Sequence, residues 1–306
     1  MLKYTIKRVL LLIPTVIGIT LFIYLIMSLV PGDPAELLAP QEATAADIQQ
    51  LRVEMGLDKP ILIQYVNYMW NVIRGDFGVS WFTRQSVTAE ITNRMPYTLT
   101  LGVISTIIAS VLSIPLGTLT AVKHNSLPDY LVTFLCMVFA AIPGFWLGIM
   151  LQLYLSLQTG WFPAYGMGTA RHFVLPVIAV CASSVASNIR ATRTWMLDVI
   201  RSDYVRTARA KGASEVVVIM KHALRNALLP IITGFGTAFA GVLGGSVVIE
   251  TVFAIPGIST YLTSAVKTRD MPIIMGCILV ISIFVGVINL LVDLMYSVID
   301  PRVKYE

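Results

Sequence analysis

Asp203-Tyr-Val-Arg-Thr-Ala-Arg-Ala-Lys-Gly212-Ala-Ser214-Glu215 is a short basic helix pattern set between two long apolar runs. Gly212 reads as the residue just past a helix end, where a left-handed backbone favours glycine. Ser214-Glu215 reads as the cap and first acidic residue of a second helix. That second amphipathic run ends at Leu229-Pro230. On the first helix Tyr204, Ala208 and Gly212 recur at i, i+4 and i+8, so one face tapers to almost no side chain. Arg206, Arg209 and Lys211 edge it, and Thr207 and Ala210 complete the segment. A narrow face edged with charge suits insertion into a cleft of another protein. The same pattern also serves a solvated loop helix that keeps one membrane side positive. The flanking apolar runs exclude a soluble helix-turn-helix on nucleic acid.

Those runs set the class. The chain has 306 residues, 56% of them hydrophobic and 13% charged, with a mean hydropathy of +0.78. A soluble domain carries about 25% charged residues. An all-α polytopic membrane bundle follows, in contact with lipid. Six apolar segments are long enough to cross a core of about 30 Å, which takes about 20 residues at helical rise. They fall near residues 9–30, 98–122, 130–157, 173–189, 227–249 and 273–299. The fourth is the shortest, with room to continue as a helix past Arg190. Lys3, Lys7 and Arg8 precede the first, whose length exceeds a signal-peptide core and marks a retained anchor.

Orientation follows from the 22 Lys and Arg residues. With the N-terminus cytoplasmic, fourteen lie in cytoplasmic segments, three in short outer loops and five in the long outer loop, where charge carries little weight. An even number of spans places both termini inside. Trp161, Phe162 and Tyr165 sit where an outer aromatic belt belongs. The outer loop, residues 31–96, has two helix signals. Thr44 caps one that carries Ile48, Leu51 and Met55 and is closed by Gly56. Pro60 starts another, which carries Leu62, Tyr65, Met69 and Ile73 and stops at Gly75. Neither is long enough to span, so both form a helical cap on the outer side. One transmembrane domain is expected over 1–306, with the cap at 31–96, a five-span core at 98–299 and a cytoplasmic segment at 203–222.

Within the spans, Pro143-Gly144 interrupts the third and Pro115 lies in the second. Each is a pathway lining, a hinge or a static kink. The fifth span holds Gly241-x-x-x-Gly245, which permits close helix packing. Glu250 ends that span near the outside, and Asp293 lies in the sixth near its cytoplasmic end, positioned to pair with an inside arginine. An acid at mid-bilayer costs about 2.5–3.5 kcal/mol, so each must face protein or water. Cys136, Cys181 and Cys277 each fall in an apolar run, with no CxxC, and read as buried free thiols. His124, His172 and His222 are scattered and sit near span ends, which argues against a metal site built by this chain alone. The sequence holds no Gly-Lys dipeptide and hence no P-loop, and no GxSxG or HExxH motif, so no catalytic residue is assigned. A stand-alone channel or secondary transporter, or a membrane scaffold, remains open on these residues.

The quoted stretch, with His222-Ala-Leu-Arg-Asn-Ala-Leu-Leu-Pro230, resembles the coupling loop of bacterial ATP-binding-cassette importer permeases of the dipeptide/oligopeptide/nickel group, which also takes in glutathione systems. Leu12-Ile-Pro-Thr15, Pro31-Gly-Asp-Pro34, Gly56-Leu-Asp-Lys-Pro60, Gly75-Asp-Phe-Gly78, Gly245-Ser-Val-Val-Ile-Glu250, Pro256-Gly257 and Asp300-Pro-Arg302 extend the likeness from end to end. The long loop after the first span is similar to that of B-type subunits. The wider family opens its loop with Glu-Ala-Ala, three residues, then Gly. Anchored on Gly212, those positions are Arg206, Thr207 and Ala208, so the Glu is absent. The resemblance implies a bacterial inner-membrane permease subunit that forms half of a pathway for a small solute, above all di- or oligopeptides. It also implies a homologous second permease, two ATPase subunits and an extracytoplasmic solute-binding protein. ATP and Mg would sit on the ATPases, with no cofactor on this chain.

Overall fold

The computed structural model describes residues 2–299. It is helical throughout, and among the described residues the sole β pairing is the isolated Val79–Ser86 bridge. Five helical stretches are long and apolar enough to cross a membrane: Thr5–Leu29, Val87–Val122, Arg171–Ile200, Glu215–Val242 and Met271–Met295. A sixth crossing is a pair of helices, Leu127–Ala141 and Gly144–Gln158, bent by 91°. The count of six therefore holds with the bent pair as one span, but the third segment is not a single rod. Ile142 is extended (φ −80°, ψ 120°), as a residue before proline prefers, and Pro143 restarts the helix as its cap. Pro115, by contrast, lies within unbroken helix.

The chain divides into two compact units, one of Leu2–Thr98 with Pro256–Gly286, the other of Leu99–Ile255 with residues 287–299. In the first, α1 (Leu2–Leu29) is braced by α4 (Ile61–Ile73). Tyr65 donates to the Ile17 carbonyl at 3.1 Å and meets the Thr20 hydroxyl at 2.8 Å, while Tyr24 donates to Gln64 Oε1 at 2.8 Å. Tyr65 is thus the buried member of the α4 stripe, and Leu62 and Ile73 are exposed. Between them lie α2 (Pro34–Leu38) and α3 (Ala45–Glu54). Thr44 caps α3 in a reciprocal box with Asp47, and Gly56 and Gly75 take positive φ of 70° and 84°, as their stop positions require. The first turns of α5 (Val87–Val122) pack Val87 and Ile91 against Ile258 of α13 (Ile258–Thr268) and Ile273, Ile274 and Cys277 of α14 (Met271–Ile299).

The second unit is organised around α8 (Arg171–Ile200), which packs against α6 (Leu127–Ala141), α7 (Gly144–Leu151) and α11 (Arg225–Gly245). α8 runs well past Arg190, longer than the apolar segment at 173–189. Gly144 permits the α7–α8 approach, because a Cβ there would sit 3.2 Å from the Ala179 carbonyl oxygen. Close approach also occurs at Gly117 and Gly234, where a Cβ would lie 2.6 Å from Thr192 and 2.7 Å from Trp195. At Gly241 a Cβ would meet nothing within 4 Å, so that member of the Gly-x-x-x-Gly pair is not a packing point. All three cysteines are buried free thiols.

Candidate functional site

The basic segment forms α9 (Asp203–Ala210), capped by extended Ser202 and ended by Gly212 at φ 81°. Ser214 then caps α10 (Glu215–Val217), which runs without interruption through a π-helical stretch, Val218–Leu224, into α11. The second amphipathic run is therefore the lower part of the fifth span rather than a separate loop helix.

One expectation for α9 is corrected. Ala208 does not share an open face with Tyr204 and Gly212; it is 9% exposed, and with Val205 at 0% it points into the protein. These two join a cluster with Ala121, Met196, Val218, Ile219, Ala223, Ala227 and Ile231. In a helix of eight residues one apolar stripe must be covered for the helix to persist, and Val205 and Ala208, three apart, are the apolar pair. The outward surface is Tyr204, Arg206, Thr207, Arg209, Ala210, Lys211 and Gly212, all exposed. Arg209 is held from within the chain: its Nη2 and Nε reach the two Glu215 carboxylate oxygens at 2.7 and 3.1 Å. That carboxylate pushes the Arg209 pKa above its ordinary value. Arg206 lies 3.6 Å from Asp203 in a loose pair, with its side chain 72% exposed.

The same unit holds an open cavity of about 670 Å³. Gly144 and Gly241, both predicted as packing or pathway residues, line it together, with Ser246 and the α8 side chains Ser183, Ser187 and Arg190. Pro143 caps α7 and is not among the lining residues. Glu250 is not a cavity residue and does not end the fifth span. It lies on a separate helix, α12 (Val247–Val252), is 0% exposed, and accepts from Ser246 Oγ at 2.9 Å. An acid expected at an interface is thus an internal tie across the helix break. Asp293 is half-buried on α14, and Asp300-Pro301-Arg302 lies outside the described residues. Chain positions of Gly245 are helical.

Sequence reasoning missed two features. Asp129 in the first turn of α6 is 2% exposed and takes a two-pronged ion pair from Arg193 of α8, at 2.7 and 2.8 Å. The α8 polar residues Ser183, Ser184, Ser187, Asn188 and Arg190 all face the cavity. Their recurrence at helical spacing inside an apolar segment was the available signal.

Residues 113–305 match the family described as binding-protein-dependent transport system inner membrane component, and residues 1–102 match its N-terminal companion. The chain is 40% identical to the oligopeptide transport system permease protein AppB of Bacillus subtilis (strain 168), over 100% of both chains. It is 41% identical to the glutathione transport system permease protein GsiC of Pectobacterium atrosepticum, again over 100% of both. A chain of the MetNI methionine ABC transporter, solved in inward-facing conformations, shares the fold with a TM-score of 0.57 at 16% identity, covering 69% of this chain and 96% of that one. The chain belongs to the binding-protein-dependent transport system inner membrane component family. It is a multi-pass membrane permease subunit of an ATP-binding-cassette importer, not an enzyme; ATP hydrolysis resides in separate partners.

Proposed function

We propose that this permease imports di- or oligopeptides as one of two homologous membrane subunits, driven by two ATPase subunits and fed by an extracytoplasmic solute-binding protein. ATP and Mg stay on the ATPases, and α9 is the element they push. The observation that carries this reading is α9 itself, a short helix rooted by Val205 and Ala208 in the lower ends of α8 and α11, with the remainder of its surface open. A rooted helix moves with the spans as a rigid body, as a lever for ATP-driven rocking must. In this reading α9 and both termini face the cytoplasm, and α2–α4 cap the outer side. The names of the full-length relatives, oligopeptide and glutathione permeases, support a peptide-like solute.

Reconstitution tests it. Proteoliposomes with both permeases, the ATPases and the binding protein should concentrate a dipeptide only with ATP and binding protein present. The single chain should neither hydrolyse ATP nor concentrate the dipeptide. Uptake of glutathione or of a nickel chelate in place of peptides would move the substrate within the family, and concentrative uptake by the chain alone would end the partner-driven reading.

A further inference from the structure

The uncovered side of α8 differs from that of the other spans. Ser183, Ser187, Arg190 and Thr194 recur at i, i+4, i+7 and i+11 and all four are exposed, while Cys181, Ile189, Thr192 and Met196 on the other side are buried. Elsewhere the exposed span surface is mostly apolar, as at Leu10 and Phe22 of α1, Ile107 and Val111 of α5, and Phe134 of α6, and carries only single hydroxyls such as Thr15 and Thr237. Lipid accepts that surface. It does not accept a guanidinium, which inside a bilayer faces protein or water.

The hydroxyls make the same distinction. At the surface of other spans Thr15 bonds to the Leu11 carbonyl at 2.9 Å, Ser110 to Thr106 at 2.8 Å and Thr237 to Gly234 at 2.9 Å, as Thr194 of α8 does to the Arg190 carbonyl at 3.1 Å; Ser105 and Thr118 of α5 lack a partner but are buried. Ser183, Ser184, Ser187 and Asn188 have no side-chain hydrogen bond among the described residues, and Arg190 has no carboxylate partner among them. All five face the cavity of about 670 Å³, a volume within the roughly 300–1,000 Å³ of small-ligand sites. Polar groups left open toward a cavity require water or a polar solute there.

We propose that Ser183, Ser187, Asn188 and Arg190 form a wetted wall of the solute pathway: the hydroxyls and the carboxamide bond the amide groups of a passing peptide, and Arg190 takes its carboxylate. The ligand class rests on the peptide reading above; the wetting of the wall does not. A guanidinium presents two parallel donors to a carboxylate, which orients the solute. One cation without a surrounding cage also holds it weakly enough to release, as transit demands.

The test uses the complete transporter in proteoliposomes, with Cys136, Cys181 and Cys277 replaced by Ala. Ser183→Cys and Ser187→Cys should react with the impermeant reagent methanethiosulfonate ethylsulfonate roughly tenfold or more faster than Val111→Cys, because a thiol in hydrocarbon keeps its proton. Arg190→Gln should lower dialanine uptake about tenfold or more, the worth of a charge-assisted bond, and Arg190→Lys should restore most of it. Stimulation of ATP hydrolysis by loaded binding protein should persist in both. Equal labelling of Val111→Cys and Ser183→Cys overturns the wetted wall. Wild-type uptake by Arg190→Gln, or loss of ATPase stimulation along with uptake, overturns the carboxylate contact. Fast labelling at both serine positions in a transporter that takes up no dialanine keeps the wall and rejects the peptide.

Discussion

Asp129 and Arg193, 64 residues apart, meet in a two-pronged ion pair that ties the start of α6 to α8 about two turns before α8 ends. The Asn125 backbone N–H donates to the same carboxylate at 3.0 Å, so the turn after α5 is held as well. α8 carries both the polar wall and the root of α9, which makes this tie a determinant of where both stand. Removing one partner of a buried pair costs about 3–5 kcal/mol, and the 25% exposure of the Arg193 side chain places this one at the lower end. Asp129→Ala should lower the thermal unfolding midpoint of the purified permease clearly, and Arg193→Lys, which keeps the charge and loses the fork, should lower it less. An unchanged midpoint in Asp129→Ala would show that the pair contributes nothing.

Gly212→Trp should abolish ATP-dependent uptake while leaving expression and insertion intact. A Cβ at Gly212 meets no atom of this chain within 4 Å, so what a first side-chain atom costs there is the left-handed backbone, about 1–2 kcal/mol. The ring would instead obstruct a partner at the exposed end of α9. Gly212→Ala carries the same backbone strain without the bulk and should keep most of the uptake. Equal loss in both would assign the effect to strain and remove the case for docking there.

Arg206 and Arg209 are not equivalent, because Glu215 already neutralises Arg209. Arg206→Glu should reduce copurification of the ATPase subunits about tenfold or more, as loss of a desolvated interfacial charge does. Glu215→Gln, which releases Arg209, should leave it unchanged or improve it. Undiminished ATPase recovery with Arg206→Glu, checked by quantitative blotting, would place the contact elsewhere on α9.

Orientation is testable with single cysteines at two exposed turns, Glu42→Cys and Lys123→Cys, in the background lacking the native three. An impermeant thiol reagent should label position 42 in intact cells and position 123 after the membrane is opened. Labelling of both from one side would contradict the cytoplasmic placement of the α5–α6 turn or the outer placement of the cap.

Gly117→Ala and Gly241→Ala should part company. The new methyl at Gly117 would press on Thr192 and on the Ile189 carbonyl oxygen at 2.9 Å, an overpacking cost of about 1–3 kcal/mol. At Gly241 it enters open space. Thermal unfolding of the two variants compares them directly, and equal stability would mean that α5 and α8 separate freely.

Much of the fold was legible because its signals are local. Apolar segments of spanning length located the crossings, Thr44 announced its cap, and Gly56, Gly75 and Gly212 sit at the left-handed positions their places after helices require. Each depends on residues within one or two turns, whose spacing the chain itself sets. The end-to-end motif resemblance pointed to the family for a different reason, since its combination of short stretches is specific.

What only the tertiary structure decided is which side of each helix is covered, because the covering residues come from far along the chain. Ala208 reads as part of an open narrow face until it is seen buried in one cluster with Met196 and Ile219. Gly241 reads as a packing point, yet close approaches in this unit fall at Gly117 and Gly234, where α8 side chains arrive, and at Gly236, where Val292 does. Glu250 reads as an interfacial acid, but a break at Ser246 turns it inward. The α8 serines, Asn188 and Arg190 are scattered polar letters in an apolar run until the bent α6–α7 pair and α11 leave a cavity before them. Amphipathic spacing by itself determined where a face exists; only the arrival of a neighbour determined whether that face meets protein, lipid or water.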